Sequence, residues 1–300
     1  MLVKSKNIIN KPKSKYTFAL IHFGNKPKYL EFEIYFLLNL RKYTSYDITY
    51  LYSINDTPSI YPQIISKFVT NVVPYDDKDF TYGVDQFKSH YEHFNTLRTC
   101  NFIYAYLLKD YKKVCIIESD MSIIGNIDNI FDLNCPAILK YTDGKEVDEN
   151  YKYPKLLKSD IISTCTDFKK QMSVNGGILL FKPSKAKFEQ YKKNIKIIIQ
   201  NNCLYPNEKL YIYTNNNLLY NVPVKYNFSH YHFKRYGFVK DKLIYHFNDS
   251  VYKPLTIIQD GWMNKINKDK KDIVYFFNKG YYIPYHEKID ELMSFIPIKK

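Results

Sequence analysis

The chain of 300 residues lacks any run approaching the ~20 consecutive apolar residues that a membrane-spanning helix needs. Its opening stretch, MLVKSKNIIN, has no apolar core of the kind that marks a secretory leader. Cysteine is scarce and odd in number: Cys100, Cys115, Cys135, Cys165 and Cys203, none of them spaced Cys-x-x-Cys. Neither a disulfide framework nor a zinc site is suggested, and a reducing, cytoplasmic setting is the expectation. Cys115 lies inside an apolar run and reads as a small core residue. There is no internal repeat, and no linker divides the chain. No helix-turn-helix, zinc-finger or RNP pattern is present. A basic nucleic-acid binder would therefore have its charge but no recognition element.

What is present in excess is charge of one sign and tyrosine. The net charge is +14, which fits an acidic partner such as nucleic acid, a membrane surface or a phosphorylated substrate. The lysines are scattered, however, and Lys11, Lys13 and Lys15 form only a short basic arm. Aromatic residues reach 17 %, mostly through 31 Tyr, in a chain also rich in Lys, Asn and Ile. All four can be encoded by A/T-rich codons, so codon bias discounts composition as a sign of partners.

Apolar runs and helical periodicities alternate through the first half. YTFALIHF (Tyr16 to Phe23) reads as a strand ending in a Gly24-Asn25 turn, and KYLEFEIYFLLNLRKY follows with helical spacing. YDITYLYSI (Tyr46 to Ile54) and KFVTNVVPY (Lys67 to Tyr75) read as strands. Between them, Asp56-Thr57-Pro58 reads as a cap with Pro in the first helical turn. HFNTLRTCNFIYAYLLKDY reads as a helix before the run KVCII. This alternation argues for a parallel sheet of βαβ units. The second half is less regular. CPAILKYT, VNGGILLFKPS and KLIYHFND read as strands and SKAKFEQYKKNIKIIIQNN as a helix, while Asp143 to Lys170 is a long polar stretch that suits a functional loop.

The run KVCII ends in Glu118-Ser119-Asp120 with no basic residue following to neutralise it. In α/β sheets ligands bind beyond the carboxyl ends of strands, and residues i and i+2 of an extended chain face the same way. Both carboxylates could thus meet one hard divalent cation, which favours oxygen ligands and can also hold phosphates. A solvated strand end is the plainer alternative.

The segment YKKVCIIESDMSIIGNIDNIFDL resembles the signature of glycosyltransferase family 8, the glycogenin-like enzymes. The shared features are an apolar strand, an acid-x-Asp triplet, Asn126-Ile127-Asp128 and Phe131-Asp132. Glu118 stands where that family has Asp. VNGGILLFKPS is similar to the family's Asn-Ser-Gly strand, with Gly176 for Ser, and Glu208-Lys209 stand in place of its Asp-Gln pair. YHFNDSVYKPL matches a His-Phe…Lys-Pro-Trp segment at His246, Lys253 and Pro254, with one extra residue and Leu255 for Trp.

The resemblance implies an α/β, GT-A (Rossmann-like) fold: a mainly parallel sheet flanked by helices, in a single domain with an irregular acceptor-side half. Residues 16–133 would form the nucleotide-binding half, 134–260 the metal and acceptor half, and 261–300 a C-terminal extension. It also implies a retaining transfer of a hexose from a UDP-sugar to an acceptor hydroxyl on a protein or glycan, with Mn2+ or Mg2+ held by Glu118, Asp120 and His246. His22, Asn25, Tyr29, Arg98, Glu118, Ser119, Gly177 and Lys253 would contact the donor, and Glu208 and Asn175 would lie at the transferred sugar. His246 sits between Tyr245 and Phe247, where a lone His is more often a hydrogen-bonded core residue; the residues alone leave both roles open. Two other readings compete: a catalytically weak sugar-binding relative of the same fold, and the nucleic-acid binder.

Overall fold

The computed structural model describes residues 12–78, 97–140, 174–201, 203, 205–215, 218–229 and 243–246. They fall into two compact units, neither continuous in sequence. One comprises Met1–Asn25, Tyr46–Glu118 and Asn129–Val224; the other comprises Lys26–Ser45, Ser119–Asp128 and Lys225–Lys300.

The first unit is built on a seven-stranded sheet. Its strands are β1 (Tyr16–His22), β2 (Asp47–Ser53), β3 (Asn71–Tyr75), β4 (Lys113–Ile117), β6 (Ala137–Lys140), β7 (Val174–Phe181) and β8 (Tyr220–Asn221), in the order β3-β2-β1-β4-β7-β6-β8. Strands β3, β2, β1 and β4 run parallel; β7 alone is antiparallel to its neighbours β4 and β6. The sheet is thus mainly parallel, as the alternation of strands and helices implied. Nearly every residue of β1, β2 and β4 is buried, the expected state of parallel strands covered on both faces. Pro74 lacks a donor for the ladder and is accommodated because β3 is an edge strand. The chain runs outward from β1 to β3 and then returns to place β4 on the other side of β1. That reversal makes the carboxyl ends of β1 and β4 a topological switch point, where such sheets bind ligands.

Two α-helices and a 3-10 helix cover this sheet, with a short helix α2 (Ile60–Ile65) between β2 and β3. Helix α3 (Lys185–Gln200) starts at Ser184, whose hydroxyl accepts the Lys187 N–H, and it buries Phe188, Tyr191, Ile195 and Ile198 at helical spacing. Helix α4 spans Pro206–Thr214, with its proline in the first turn. The stretch read as a helix before β4 is a 3-10 helix over Leu97–Leu107. The core between these elements is aromatic. Tyr106 stacks on Phe181 with ring centroids 3.8 Å apart, and its hydroxyl meets that of Tyr191 at 3.1 Å. Asn215 donates to the Tyr191 hydroxyl at 2.6 Å, and Tyr211 donates to the Leu180 carbonyl at 2.9 Å. Each buried phenol therefore keeps a hydrogen-bond partner, without which its burial would be costly. Cys115 is buried in β4 as expected.

The second unit contains helix α1 (Pro27–Tyr43) and a three-stranded sheet of β5 (Met121–Ile123), β10 (Ile244–His246) and β9 (Phe228–Ser229) in the order β5-β10-β9. Helix α1 opens on a proline, closes on Arg41 and Lys42 beside the negative end of its dipole, and is buried along most of its length. Its Asn39 side chain acts as a surrogate strand neighbour for β5. The amide donates to the Ile123 carbonyl at 2.9 Å and accepts the Ile123 N–H at 2.6 Å. The Asn126-Ile127-Asp128 stretch proves to be a clasp: Asp128 accepts from the Thr44 hydroxyl and from the Ser45 N–H at 3.1 Å, so the turn after β5 is tied to the end of α1.

Phe131 is 1 % exposed, stacks on Tyr16 at 4.8 Å and meets Phe18 and Tyr46 edge-on. Replacing Phe131 by Ala should cost about 3–5 kcal/mol, through lost burial plus the cavity left behind. In a urea titration this would appear as a lower midpoint at unchanged slope.

Candidate functional site

The connector from β4 to β5 is Glu118-Ser119-Asp120. The Glu118 N–H donates to the Gly177 carbonyl at 3.1 Å, extending the β4–β7 ladder by one bond and fixing the point at which the acids begin. Asp120 immediately precedes β5. In the second unit β10 pairs antiparallel with β5, His246 opposite Met121, and parallel with β9, His246 opposite Ser229. This double pairing brings His246 Nε2 to 3.3 Å from Asp120 Oδ1, although the two residues lie far apart in sequence. His246 is 2 % exposed and the Asp120 side chain 16 %. On the opposite edge of the ring, Nδ1 lies 2.9 Å from Asn227 Oδ1. Asp120 and His246, both in the second unit, each offer a ligand atom, and Glu118 precedes Asp120 by two residues.

This donor set suits a divalent ion. Ligands about 2.0–2.2 Å from a metal, at tetrahedral or octahedral angles, lie about 3.0–3.5 Å from each other. The 3.3 Å between Asp120 Oδ1 and His246 Nε2 falls in that interval.

The exit of β1 carries a second cluster, entirely within the first unit. Gly24 has φ +95°, a left-handed conformation that glycine adopts without strain, and its N–H donates to Asp56 Oδ1 at 3.0 Å. Asp56 is thus not a helix cap: α2 begins at Ile60 after Ser59, and the Asp56 carboxylate receives the Arg98 guanidinium on both oxygens. Arg98 also reaches Asp77 Oδ2, from Nε at 3.2 Å and from Nη2 at 3.1 Å, while lying over the Phe23 ring. The guanidinium read as a donor contact is therefore engaged by two aspartates. Asp77 is wholly buried and also accepts from Ser53 at 2.6 Å, Asn55 at 2.6 Å and Asn101 at 2.9 Å. Burial works to raise the Asp77 carboxyl, but these hydrogen bonds and the Arg98 charge outweigh it and hold it below the usual aspartate value. Asp56 is lowered in the same way, burial being overcome by Arg98 and the Gly24 N–H.

The remaining predicted residues take varied places. His22 is buried, its Nε2 at 3.1 Å from the Gly24 carbonyl and its ring against Tyr50 and Tyr61. Asn25 is exposed, and its carbonyl accepts from Tyr61 at 2.9 Å. Tyr29 stands 40 % exposed in the first turn of α1. Ser119 is half-buried. Asn175 Oδ1 accepts the Gly177 N–H at 2.9 Å. Glu208, nearly buried in the first turn of α4, accepts the Gly176 N–H at 2.7 Å, and Lys209 beside it is fully buried. A Cβ on Gly176 would lie 3.0 Å from Glu208 Cγ, so the backbone of β7 and the Glu208 side chain are in close contact. Lys253, Pro254, Leu255 and the stretch Asp143 to Lys170 lie outside the described residues.

Asp56, Asp77 and Asn227 escaped the sequence reading. The two aspartates carried a usable signal, since Asn55-Asp56 and Asp76-Asp77 follow β2 and β3 at the same carboxyl edge as Glu118. A lone Asn in a loop carries none.

No protein-family model matches the chain. A curated relative, the uncharacterized protein R707 of Acanthamoeba polyphaga mimivirus, is 26 % identical over 267 residues, covering 86 % of this chain and 85 % of that one. Among solved structures, the galactosyltransferase LgtC in complex with donor and acceptor sugar analogs superposes with a TM-score of 0.56 at 12 % identity, over 79 % of this chain and 88 % of that one. The bifunctional glycosyltransferase WbbM in its apo form gives 0.50 at 13 % identity, over 81 % of this chain and 47 % of that one. The chain thus has the GT-A glycosyltransferase fold. Among the described residues no helix is long and apolar enough to cross a membrane.

Replacing Arg98 by Leu should destabilise the protein by about 3–5 kcal/mol, because the buried Asp77 carboxylate loses its counter-charge. The depressed carboxyls contribute stability that is full above the ordinary aspartate value of about 3.9 and is lost as pH falls through the lower folded-state value. Denaturation followed between pH 7 and pH 2 should show a shallower acid limb in the variant. Adding Asp77→Asn to Arg98→Leu should recover part of the loss at neutral pH.

Proposed function

We propose that this protein is a glycosyltransferase of the family 8 type, moving a hexose from a UDP-sugar to an acceptor hydroxyl with retention of configuration. The observation that carries the reading is the meeting of Asp120 with His246 on a GT-A fold. Glu118, Asp120 and His246 would hold Mn2+ or Mg2+. When bound there, the ion would neutralise the charge that a departing diphosphate gains, without proton transfer. In the transfer the bond from the anomeric carbon to the diphosphate breaks with its electrons on phosphate. A bond forms to the acceptor oxygen, and the acceptor proton goes to the leaving group.

The chain's own residues divide the remaining work. The clamp of Asp56, Asp77 and Arg98 shapes the turn at Gly24 and Asn25, against which the nucleoside would lie. Exposed Tyr29 offers a face for the base, a contact that stacking favours. Glu208 and Asn175, which hold the backbone of Gly176 and Gly177, would lie at the transferred sugar. Lys253, assigned to a donor phosphate, and Asp143 to Lys170, assigned to a loop that excludes water, complete the reading. The acceptor is a protein or a glycan.

Melting of the full chain tests the proposal. UDP with MnCl2 at ~100 times its dissociation constant should stabilise the native state by about 2.7 kcal/mol, a shift of several degrees. GDP or ADP should do much less. Asp120→Asn should abolish both the shift and metal-dependent hydrolysis of a UDP-sugar while the protein stays folded. Equal shifts with all three nucleotides, or normal turnover by the variant, would sink the reading.

A further inference from the structure

The Asp120–His246 contact contains a conflict that one further residue resolves. An imidazole that is neutral carries a single N–H, on Nδ1 or on Nε2, and the hydrogen bond made by one nitrogen fixes the state of the other. Asn227 Oδ1 stands 2.9 Å from His246 Nδ1. A carbonyl oxygen can only accept, so Nδ1 holds a proton, and in the neutral ring Nε2 then presents its lone pair. That lone pair faces Asp120 Oδ1, another acceptor, across 3.3 Å. A direct charge-assisted hydrogen bond would draw the two atoms to about 2.7–2.9 Å. The longer spacing, with acceptor facing acceptor, fits a pair of ligands to one cation.

We infer that Asn227 is the positioning residue that selects the Nδ1–H tautomer of His246 and so keeps Nε2 available as a metal ligand beside Asp120. The inference rests on the metal reading of the site given above. The setting favours it. Asn227 is 1 % exposed and His246 2 %, so water does not compete for either ring nitrogen. Asn227 directly precedes β9, and β9 and β5 flank β10 on both sides. The ladder registers that seat His246 opposite Met121 and Ser229 hold the ring and the amide in one relation. If the amide were turned to present its NH2, the ring proton would move to Nε2 and close the site with a direct bond to Asp120. The orientation of one buried side chain thus separates an open ligand set from an internal hydrogen bond.

Two readouts on the full chain test this. Imidazole nitrogen and carbon shifts are recorded on metal-free protein with labelled histidine, the His246 signal being assigned by its loss in His246→Gln. Wild type should show Nδ1 protonated and Nε2 not. Manganese affinity, measured by titration without donor, should fall roughly 10–100-fold in Asn227→Leu, the usual cost of losing an outer partner of a metal-bound histidine. Asn227→Asp keeps an acceptor at the same place and should retain both the tautomer and most of the affinity. A wild-type ring protonated on Nε2 overturns the inference, as does full manganese affinity in a folded Asn227→Leu protein. If the Leu variant does not fold, loss of affinity in Asn227→Asp, with its tautomer retained, overturns it equally. Wild-type protein that binds no manganese while showing the Nδ1–H tautomer instead defeats the metal reading, so the two failures are told apart.

Discussion

Three residues join the end of β4 to the start of β5, and the two strands belong to different sheets. So short a connector leaves no room for a loop. Its acids therefore stand at strand ends, Glu118 tied through its N–H to Gly177 and Asp120 one step before the β5–β10 ladder. Everything proposed for the site depends on that ladder. Side chains alternate across a strand, so a slip of one residue would turn His246 to the other face of the small sheet and away from Asp120. Asn39 grips Ile123 on both its N–H and its carbonyl, Asp128 ties the following turn to Thr44 and Ser45, and β9 holds β10 on its far side. A three-stranded sheet of very short strands is given one register by polar side chains rather than by length.

The large sheet was readable because its strands are nearly continuous apolar runs, and Thr17 and Thr49 are the sort of β-branched polar residues such runs tolerate. The direction of VNGGILLF was not readable. An apolar strand carries no mark of whether its neighbour runs with it or against it, and the antiparallel placement of β7 is a product of the whole topology. Asp56 was misread for a related reason. Asp before Thr-Pro is an ordinary helix opening, and only the fold reveals that Arg98 and the Gly24 N–H claim its carboxylate. The partner of Arg98 lay in plain view as an acid after a strand, but ion pairs between distant positions leave no periodicity to detect.

The site divided the same way. Glu118 and Asp120 were legible as an acid-x-acid triplet after a strand, and His246 was legible only through its resemblance to a longer segment. The structure finds His246 buried and hydrogen-bonded and also places it beside Asp120. One ring nitrogen is satisfied inside the protein by Asn227, and the other faces Asp120.

The close contact between Gly176 and Glu208 couples two positions at which this chain differs from the family 8 segments it resembles. Where those segments have Ser and Asp, this chain has Gly176, with no side chain, and Glu208, one methylene longer. A Cβ at position 176 would stand 3.0 Å from Glu208 Cγ and 3.0 Å from Asn207 Nδ2, tight enough that a neighbour would have to give. Packed interiors tolerate exchanges that conserve volume far better than single changes of size. A Ser at position 176 would press on Glu208, and an Asp at position 208 would leave space beside Gly176. Bulk at position 176 and reach at position 208 are thus set against each other, although the two positions lie 32 residues apart in the chain.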